Sequence, residues 1–260
     1  MASQSSAPVE LGALTCDSIL RGRLRLWQPV VGYRFSIDPL LLIDFVAEGA
    51  PARIADLGAG VGVVGLGLSR RFVSSQVTLV ELQPRLAELS RRNIAENGLS
   101  ERCQVVEADV LGAGARQSLA GGSFELVASC PPYYPVGHGG VNPDSEEAIA
   151  RHELRLPLPK LVAAAKRLVG FRGRVALVYP SPRLSELLVA LAACALPVRR
   201  LRLVHPHTGE PAQRVLIEAQ KGYRGGLQIE PPLYIREPDG RYTPQARRAL
   251  GEPDESNPPG

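Results

Sequence analysis

Arg53-Ile54-Ala55-Asp56-Leu57-Gly58-Ala59-Gly60-Val61-Gly62 is a short apolar strand that enters a glycine-rich turn, and its reading decides the fold. Glycine has no Cβ and reaches positive φ at little cost, so such a turn brings backbone close to a ligand. A helical pattern continues to about Arg71, and a second strand pattern follows at Val77-Thr78-Leu79-Val80-Glu81. Glu81, ending that strand, is placed for a bidentate bond to a ribose diol. Strand, turn, helix and strand in this order predict a parallel sheet.

Working outward, the next helix begins near Pro84, a residue favoured in a first turn. It buries Leu86, Leu89 and Ile94 and stops at the C-terminal cap signal Asn97-Gly98. Gln104–Ala108 and Phe124–Ala128 read as the third and fourth strands. Leu158, Leu161, Val162, Ala165, Leu168 and Val169 recur at helical spacing before Gly170. Strands follow at Arg174–Tyr179, Arg199–Val204 and Val215–Ala219, with a helix from about Leu184 to Cys194. Only the loop from His205 to Gln213 joins the last two strands, so they are expected to pair antiparallel. The expected fold is α/β: a Rossmann-like, seven-stranded, mostly parallel sheet with helices on both faces and an antiparallel last strand. Residues 51–222 would carry this domain, with 13–50 an N-terminal extension packed on it and 223–251 a C-terminal extension. Residues 1–12 and 252–260 are short, polar or Pro-rich, and are expected to be disordered.

With 260 residues, 45% hydrophobic and 22% charged, the chain has ample core for one large domain. The formal net charge is +4 and the pI about 9.0, and only Lys160, Lys166 and Lys221 are lysines. Arginine's planar fork suits phosphate, although a GC-rich genome produces the same bias, so the charge permits nucleic acid without demanding it. Arg21, Arg23 and Arg25, and likewise Arg199, Arg200 and Arg202, alternate on expected strands. Each trio would share one face, either a phosphate-binding or a solvated one. Cys16, Cys103, Cys130 and Cys194 show neither Cys-x-x-Cys pairing nor histidines at zinc-ligand spacing, so reduced thiols and no metal site are expected. Met1–Glu10 lacks a basic and an apolar signal region, and no run approaches the roughly 18 apolar residues of a membrane span. The expected location is cytoplasmic, away from membranes.

Glycine spacing leaves the cofactor open. Gly60-Val61-Gly62-Val63-Val64-Gly65 fits a dinucleotide fingerprint, with Glu81 at the right interval for NAD or for S-adenosylmethionine. A second feature stands at the end of the fourth strand: Ser129-Cys130-Pro131-Pro132-Tyr133-Tyr134. Two prolines end a strand, because each lacks an N–H and fixes φ. Carbonyls held rigidly outward beside an aromatic ring suit a planar amine, which needs acceptors and a stacking surface.

Asp56-Leu57-Gly58-Ala59-Gly60-Val61-Gly62 resembles the first motif of S-adenosylmethionine-dependent methyltransferases, and Cys130-Pro131-Pro132-Tyr133 resembles the Asn-Pro-Pro-Tyr motif of amino-group methyltransferases. The span from about Leu14 to Leu250 is similar to one bacterial group, related to tRNA methyltransferases that modify N6 of an adenine beside the anticodon of a valine tRNA. Gly32-Tyr33-Arg34-Phe35-Ser36-Ile37-Asp38-Pro39, Val80-Glu81-Leu82-Gln83, Ala150-Arg151-His152-Glu153, Val204-His205-Pro206 and Asp239-Gly240-Arg241-Tyr242-Thr243-Pro244 carry the match. The resemblance implies an S-adenosyl-L-methionine site built from Asp38, Asp56, Gly58, Ala59, Gly60, Gly62, Glu81, Leu82, Asp109 and Cys130. Asp109 would meet the adenine amino group. It also implies a target site at Cys130, Pro131, Pro132 and Tyr133, where the Pro131 carbonyl binds the amine and Tyr133 stacks on an unstacked base. Cysteine stands where the motif has asparagine, and a thiol is a weaker acceptor than an amide carbonyl. The implied partner is tRNA or another structured RNA, with no DNA expected. The alternatives are methylation of another amine, such as a protein glutamine or a small molecule, and a catalytically weakened RNA- or cofactor-binding homologue. A nucleophilic Cys130 acting on a pyrimidine has no second signature in the chain.

Overall fold

The computed structural model describes residues 9–32, 34–46, 48–112, 118–119, 121–131 and 156–251. The expectations for Pro132, Tyr133 and the stretch with His152 lie outside them.

A hairpin of β1 (Leu14–Ile19) and β2 (Leu24–Pro29) precedes helix α1 (Asp38–Phe45). The core then runs β3 (Arg53–Leu57), α2 (Val63–Arg71), β4 (Gln76–Glu81), α3 (Pro84–Glu96), β5 (Cys103–Glu107) and β6 (Phe124–Ser129). It continues with α4 (Leu158–Leu168), β7 (Val169–Pro180), α5 (Leu184–Ala193), β8 (Val198–His207) and β9 (Arg214–Gln220). Last come β10 (Gln228–Ile229), β11 (Leu233–Arg236) and α6 (Pro244–Ala249).

All seven expected strands are present, in the order β8-β9-β7-β6-β3-β4-β5. The C-terminal segment adds β10 and β11 to the outer edge of β8, which makes the sheet nine-stranded. These two strands are short, two and four residues, and lack an alternating pattern, so periodicity does not mark them. Strand β9 runs antiparallel to both neighbours, as the short loop before it requires. From β3 the chain winds outward in two directions, to β4 and β5 on one side and through β6 to β7 on the other. Right-handed crossovers therefore place α2 and α3 on one face and α4 on the opposite face. The reversal lies between β3 and β6, where a doubly wound sheet opens a crevice at its carboxyl edge.

The arginine trios are used differently from the expectation. Arg21 and Arg23 lie in the turn between β1 and β2, and only Arg25 is on a strand. Arg199, Arg200 and Arg202 are committed to ion pairs. Glu218, wholly buried, is paired with Arg174 (3.2 Å), Arg199 (2.7 Å) and Arg200 (3.4 Å). Arg200 reaches Glu230 at 2.8 Å and the carbonyl of Phe45 at 2.6 Å, and Arg202 also pairs with Glu230. A buried carboxylate needs such compensation, and here it ties β7, β8, β9 and the end of α1 together.

The hairpin is held by two asparagines about one helical turn apart, Asn93 on α3 and Asn97 capping its C-terminus. Asn93 accepts from the Trp27 N–H (2.7 Å) and donates to the Trp27 carbonyl (3.0 Å). Asn97 accepts from the Arg25 N–H (3.0 Å) and donates to the Arg25 carbonyl (2.7 Å). Four helical residues rise ~6 Å, and two strand residues ~6.6 Å, so the two amides stand in for a neighbouring strand along the free edge of β2.

Asn93 is fully buried, so Asn93→Ala orphans the Trp27 N–H and two carbonyls and should cost on the order of 3 kcal/mol. Asn97→Ala, with its bonds to Arg25 at an exposed position, should cost ~1 kcal/mol or less. Urea unfolding of the two variants measures the difference, and equal costs would contradict the assignment.

Candidate active site

The glycine turn leaves β3 at the carboxyl edge and starts α2. Gly58 (φ 70°), Gly60 (φ 59°) and Gly62 (φ 95°) are all left-handed. At Gly62 a Cβ would also lie 2.9 Å from the Leu79 side chain, so the turn is pressed against β4. Beside Gly58 there is open space, with nothing within 4 Å of where a Cβ would be. The turn is pinned from β4: Gly58 N–H and Ala59 N–H both donate to the Val80 carbonyl, at 2.9 and 3.1 Å. Glu81 finishes the pinning, its carboxylate accepting from Gly60 N–H at 2.7 Å and from Gln83 N–H at 2.9 Å.

Asp56 lies beneath the turn, 1% exposed, with one oxygen accepting from Gly65 N–H at 2.8 Å. Its other oxygen, Oδ1, is buried and has no hydrogen-bond partner among the described residues. Burial pushes its pKa from 3.8 up to about 7; the Gly65 N–H opposes this and the nearby Glu81 charge adds to it.

The second strand end is fixed by register. β6 pairs with β3 through Asp56↔Ala128, and Ser129 Oγ donates to the Leu57 carbonyl at 2.6 Å. Cys130, half-buried, and Pro131, buried, therefore follow directly beside the start of the glycine turn. The structure thus brings together Asp56, Gly58 to Gly62, Glu81, Cys130 and Pro131, with half-buried Leu82 next to Glu81. Asp109 is exposed two residues beyond β5, where its carboxylate accepts from Leu111 N–H at 2.9 Å. Asp38 is buried at the start of α1, and its carboxylate accepts from Arg214 Nε at 2.9 Å. His205 packs on Tyr234 with ring centroids 5.1 Å apart, a packing role.

Two positions that support the turn were not singled out in the sequence. Ser90 Oγ donates to the Gly60 carbonyl at 2.8 Å, and Asn93 donates to the Val61 carbonyl at 2.9 Å. Both are fully buried on α3. The available signal was a polar residue at positions where the apolar stripe of Leu86 and Leu89 should continue.

A doubly wound sheet with a glycine turn at its reversal, an acid ending the next strand and a proline-stopped strand beside it is the arrangement in which such sheets open a crevice for a nucleoside ligand. Comparison with known proteins makes this particular. The methyltransferase small domain family matches residues 37–144. A tRNA1(Val) (adenine(37)-N6)-methyltransferase of Porphyromonas gingivalis is 32% identical over 189 residues, covering 71% of this chain and 73% of that protein. A release factor glutamine methyltransferase of Chlorobaculum tepidum is 32% identical over 145 residues, covering 49% of this chain and 48% of that protein. The crystal structure of a predicted O-methyltransferase from Agrobacterium tumefaciens superposes with a TM-score of 0.65 at 29% identity, over 83% of this chain and 97% of that one. The chain belongs to the S-adenosylmethionine-dependent methyltransferases, in the family of the tRNA1(Val) (adenine(37)-N6)-methyltransferases.

The residues present fit that cofactor: open space at Gly58, a carboxylate at Glu81, and a buried acceptor without a donor at Asp56.

Between pH ~4 and ~7 the folded chain keeps a proton on Asp56 that the unfolded chain has released, so stability falls as pH rises through this window. Asp56→Asn cannot lose that proton. Its stability relative to the parent should therefore improve from about pH 4 to about pH 7 and level off above, measured by urea unfolding across the range. A pH-independent difference would place the Asp56 pKa near its ordinary value.

Proposed function

We propose that the protein transfers a methyl group to N6 of an adenine in tRNA. The observation that carries this is the placement of Cys130-Pro131 beside the glycine turn by the β3–β6 register. The relatives named for tRNA1(Val) support adenine in RNA over glutamine in protein, because the glutamine methyltransferase matches over only 49% of the chain.

On this reading Gly58, Ala59, Gly60 and Gly62 form the backbone cradle for the methionine part of the cofactor, and Glu81 takes the ribose hydroxyls. Leu82 and Asp109 border the adenine, and Asp38, held by Arg214, closes the pocket. When bound, the cofactor supplies an electrophilic methyl on a sulfonium. The protein's task is mainly positioning. The Pro131 carbonyl accepts one N–H of the target amine and turns the nitrogen lone pair toward the methyl. Pro132 keeps that carbonyl rigid, and Tyr133 stacks on the base, which must leave its RNA stack to enter. Cys130 supplies a soft, weak acceptor at the position of the asparagine amide, so one of the two N–H bonds to the amine is weakened. The reaction takes place in the cytoplasm, where tRNA is processed.

Methyl transfer to unfractionated RNA from a strain lacking the gene, followed by nucleoside mass spectrometry, tests the reading. N6-methyladenosine is expected, and methylation confined to another nucleoside or to protein would overturn it. Cys130→Asn restores a full amide acceptor and should raise N6 transfer about 10-fold, the equivalent of ~1–2 kcal/mol for one buried hydrogen bond. Cys130→Ser should gain less. An inactive Cys130→Asn alongside an active parent would contradict the amine-site reading. Glu81→Ala removes the ribose acceptor and frees the Gly60 N–H, so S-adenosylmethionine affinity should fall ~100-fold by calorimetry. Unchanged affinity would misplace the cofactor.

A further inference from the structure

Away from the glycine turn, a cavity of about 350 Å³ is lined by Arg21, Arg23, Arg70, Arg71 and Arg248, with Asp44 as its acidic residue. The five guanidinium groups come from three separate places: the β1–β2 turn, the end of α2, and α6. All five arginines are exposed. Arginine at the end of a helix answers the negative end of its dipole, which accounts for Arg70 and Arg71 on α2 and for Arg248 on α6, but not for Arg21 and Arg23. Arg70 also donates to the Asn97 carbonyl at 2.7 Å, and guanidinium groups gathered around one cavity repel each other. An anion in the cavity removes that repulsion.

Arg21 (φ 59°) and Gly22 (φ 76°) are the central residues of the hairpin turn, closed by the Arg23 N–H donating to the Leu20 carbonyl at 3.2 Å. Positive φ at both is the turn that suits a twisted hairpin, and it fixes where Arg21 and Arg23 stand. The position is also suggestive. Helix α2 starts at the glycine turn and carries Arg70 and Arg71 at its far end, ~12 Å away at 1.5 Å per residue. A strand whose target base enters beside Pro131 would reach the cavity within a few nucleotides.

We propose that this arginine cavity binds backbone phosphates of the RNA substrate, flanking the methylated nucleotide; the inference rests on the tRNA reading above. Planar guanidinium forks suit phosphate oxygens, and phosphate contacts set register without reading sequence.

The test compares the full chain with Arg23→Gln/Arg71→Gln, measuring tRNA affinity across a salt series from about 0.05 to 0.2 M. Losing two phosphate contacts should lower the slope of log affinity against log salt by about 1.4–1.8 and weaken binding ~10-fold or more at low salt. S-adenosylmethionine affinity and melting temperature should stay at the parent's values, since neither residue touches the cofactor cradle. Arg23→Gln alone, on an exposed turn, should give about half the slope change and covers the case in which the double variant folds poorly. Arg23→Lys/Arg71→Lys should retain most of the slope. A double or single variant that binds tRNA with the parent's affinity and slope overturns the cavity while N6 methylation by the parent leaves the function standing. A parent that binds tRNA through these arginines but makes no N6-methyladenosine has the opposite meaning. A parent that neither binds nor methylates tRNA overturns both.

Discussion

The N–H groups of Gly58, Ala59 and Gly60 are all drawn across to the next strand, two onto the Val80 carbonyl and one onto the Glu81 carboxylate. This pinning sets the shape of the turn, and the turn sets the start of α2. It also brings a side-chain carboxylate and an open backbone surface to the same end of the sheet. Glycine at 58, 60 and 62 is the condition, since each takes a left-handed φ and Gly62 also abuts Leu79. A bulkier residue at Gly62 would push α2 off the sheet and with it the packing of α1, where Gly67 lies under Ile43.

The same turn is braced from behind by α3. Ser90 and Asn93 hold the carbonyls of Gly60 and Val61, and Asn93 at the same time holds β2 at Trp27. One buried amide therefore couples the N-terminal hairpin to the cofactor turn. The hairpin turn carries Arg21 and Arg23, so this coupling fixes their position relative to the site. Asp56 completes the arrangement as a carboxyl buried beneath the turn, with one oxygen held by the Gly65 N–H and the other without a hydrogen bond among the described residues.

Cys130 is where the chain departs from the Asn-Pro-Pro-Tyr motif that it resembles. The β3–β6 register positions it, and the Pro131 carbonyl next to it does not depend on the side chain at 130. On the proposed reading, exchange of an amide for a thiol alters the strength of one contact and leaves the position of the strand end unchanged. That separation explains how a family resemblance in the fold coexists with a changed residue at the centre of the target motif.

The βαβ core, the turn, the seven strands and the antiparallel β9 were all legible in the sequence, because apolar periodicity, glycine clustering and loop length are local and act through backbone sterics. Asp56, Glu81 and Cys130-Pro131 were legible too, since each stands at a strand end that the pattern itself locates. The partners of the charged and polar residues were not. Arg199, Arg200 and Arg202 read as an alternating face, yet Glu218 and Glu230, 18 to 30 positions away, claim them. Asn93 reads as an interruption of a stripe, yet it serves as a strand edge for Trp27, 66 positions earlier. Strands β10 and β11 are too short to carry a pattern and exist only because β8 offers a free edge. Local preference and solvent-averaged burial are written along the chain, whereas hydrogen-bond and ion partners are chosen by which groups the packed sheet brings within reach of each other, and that choice belongs to the tertiary structure.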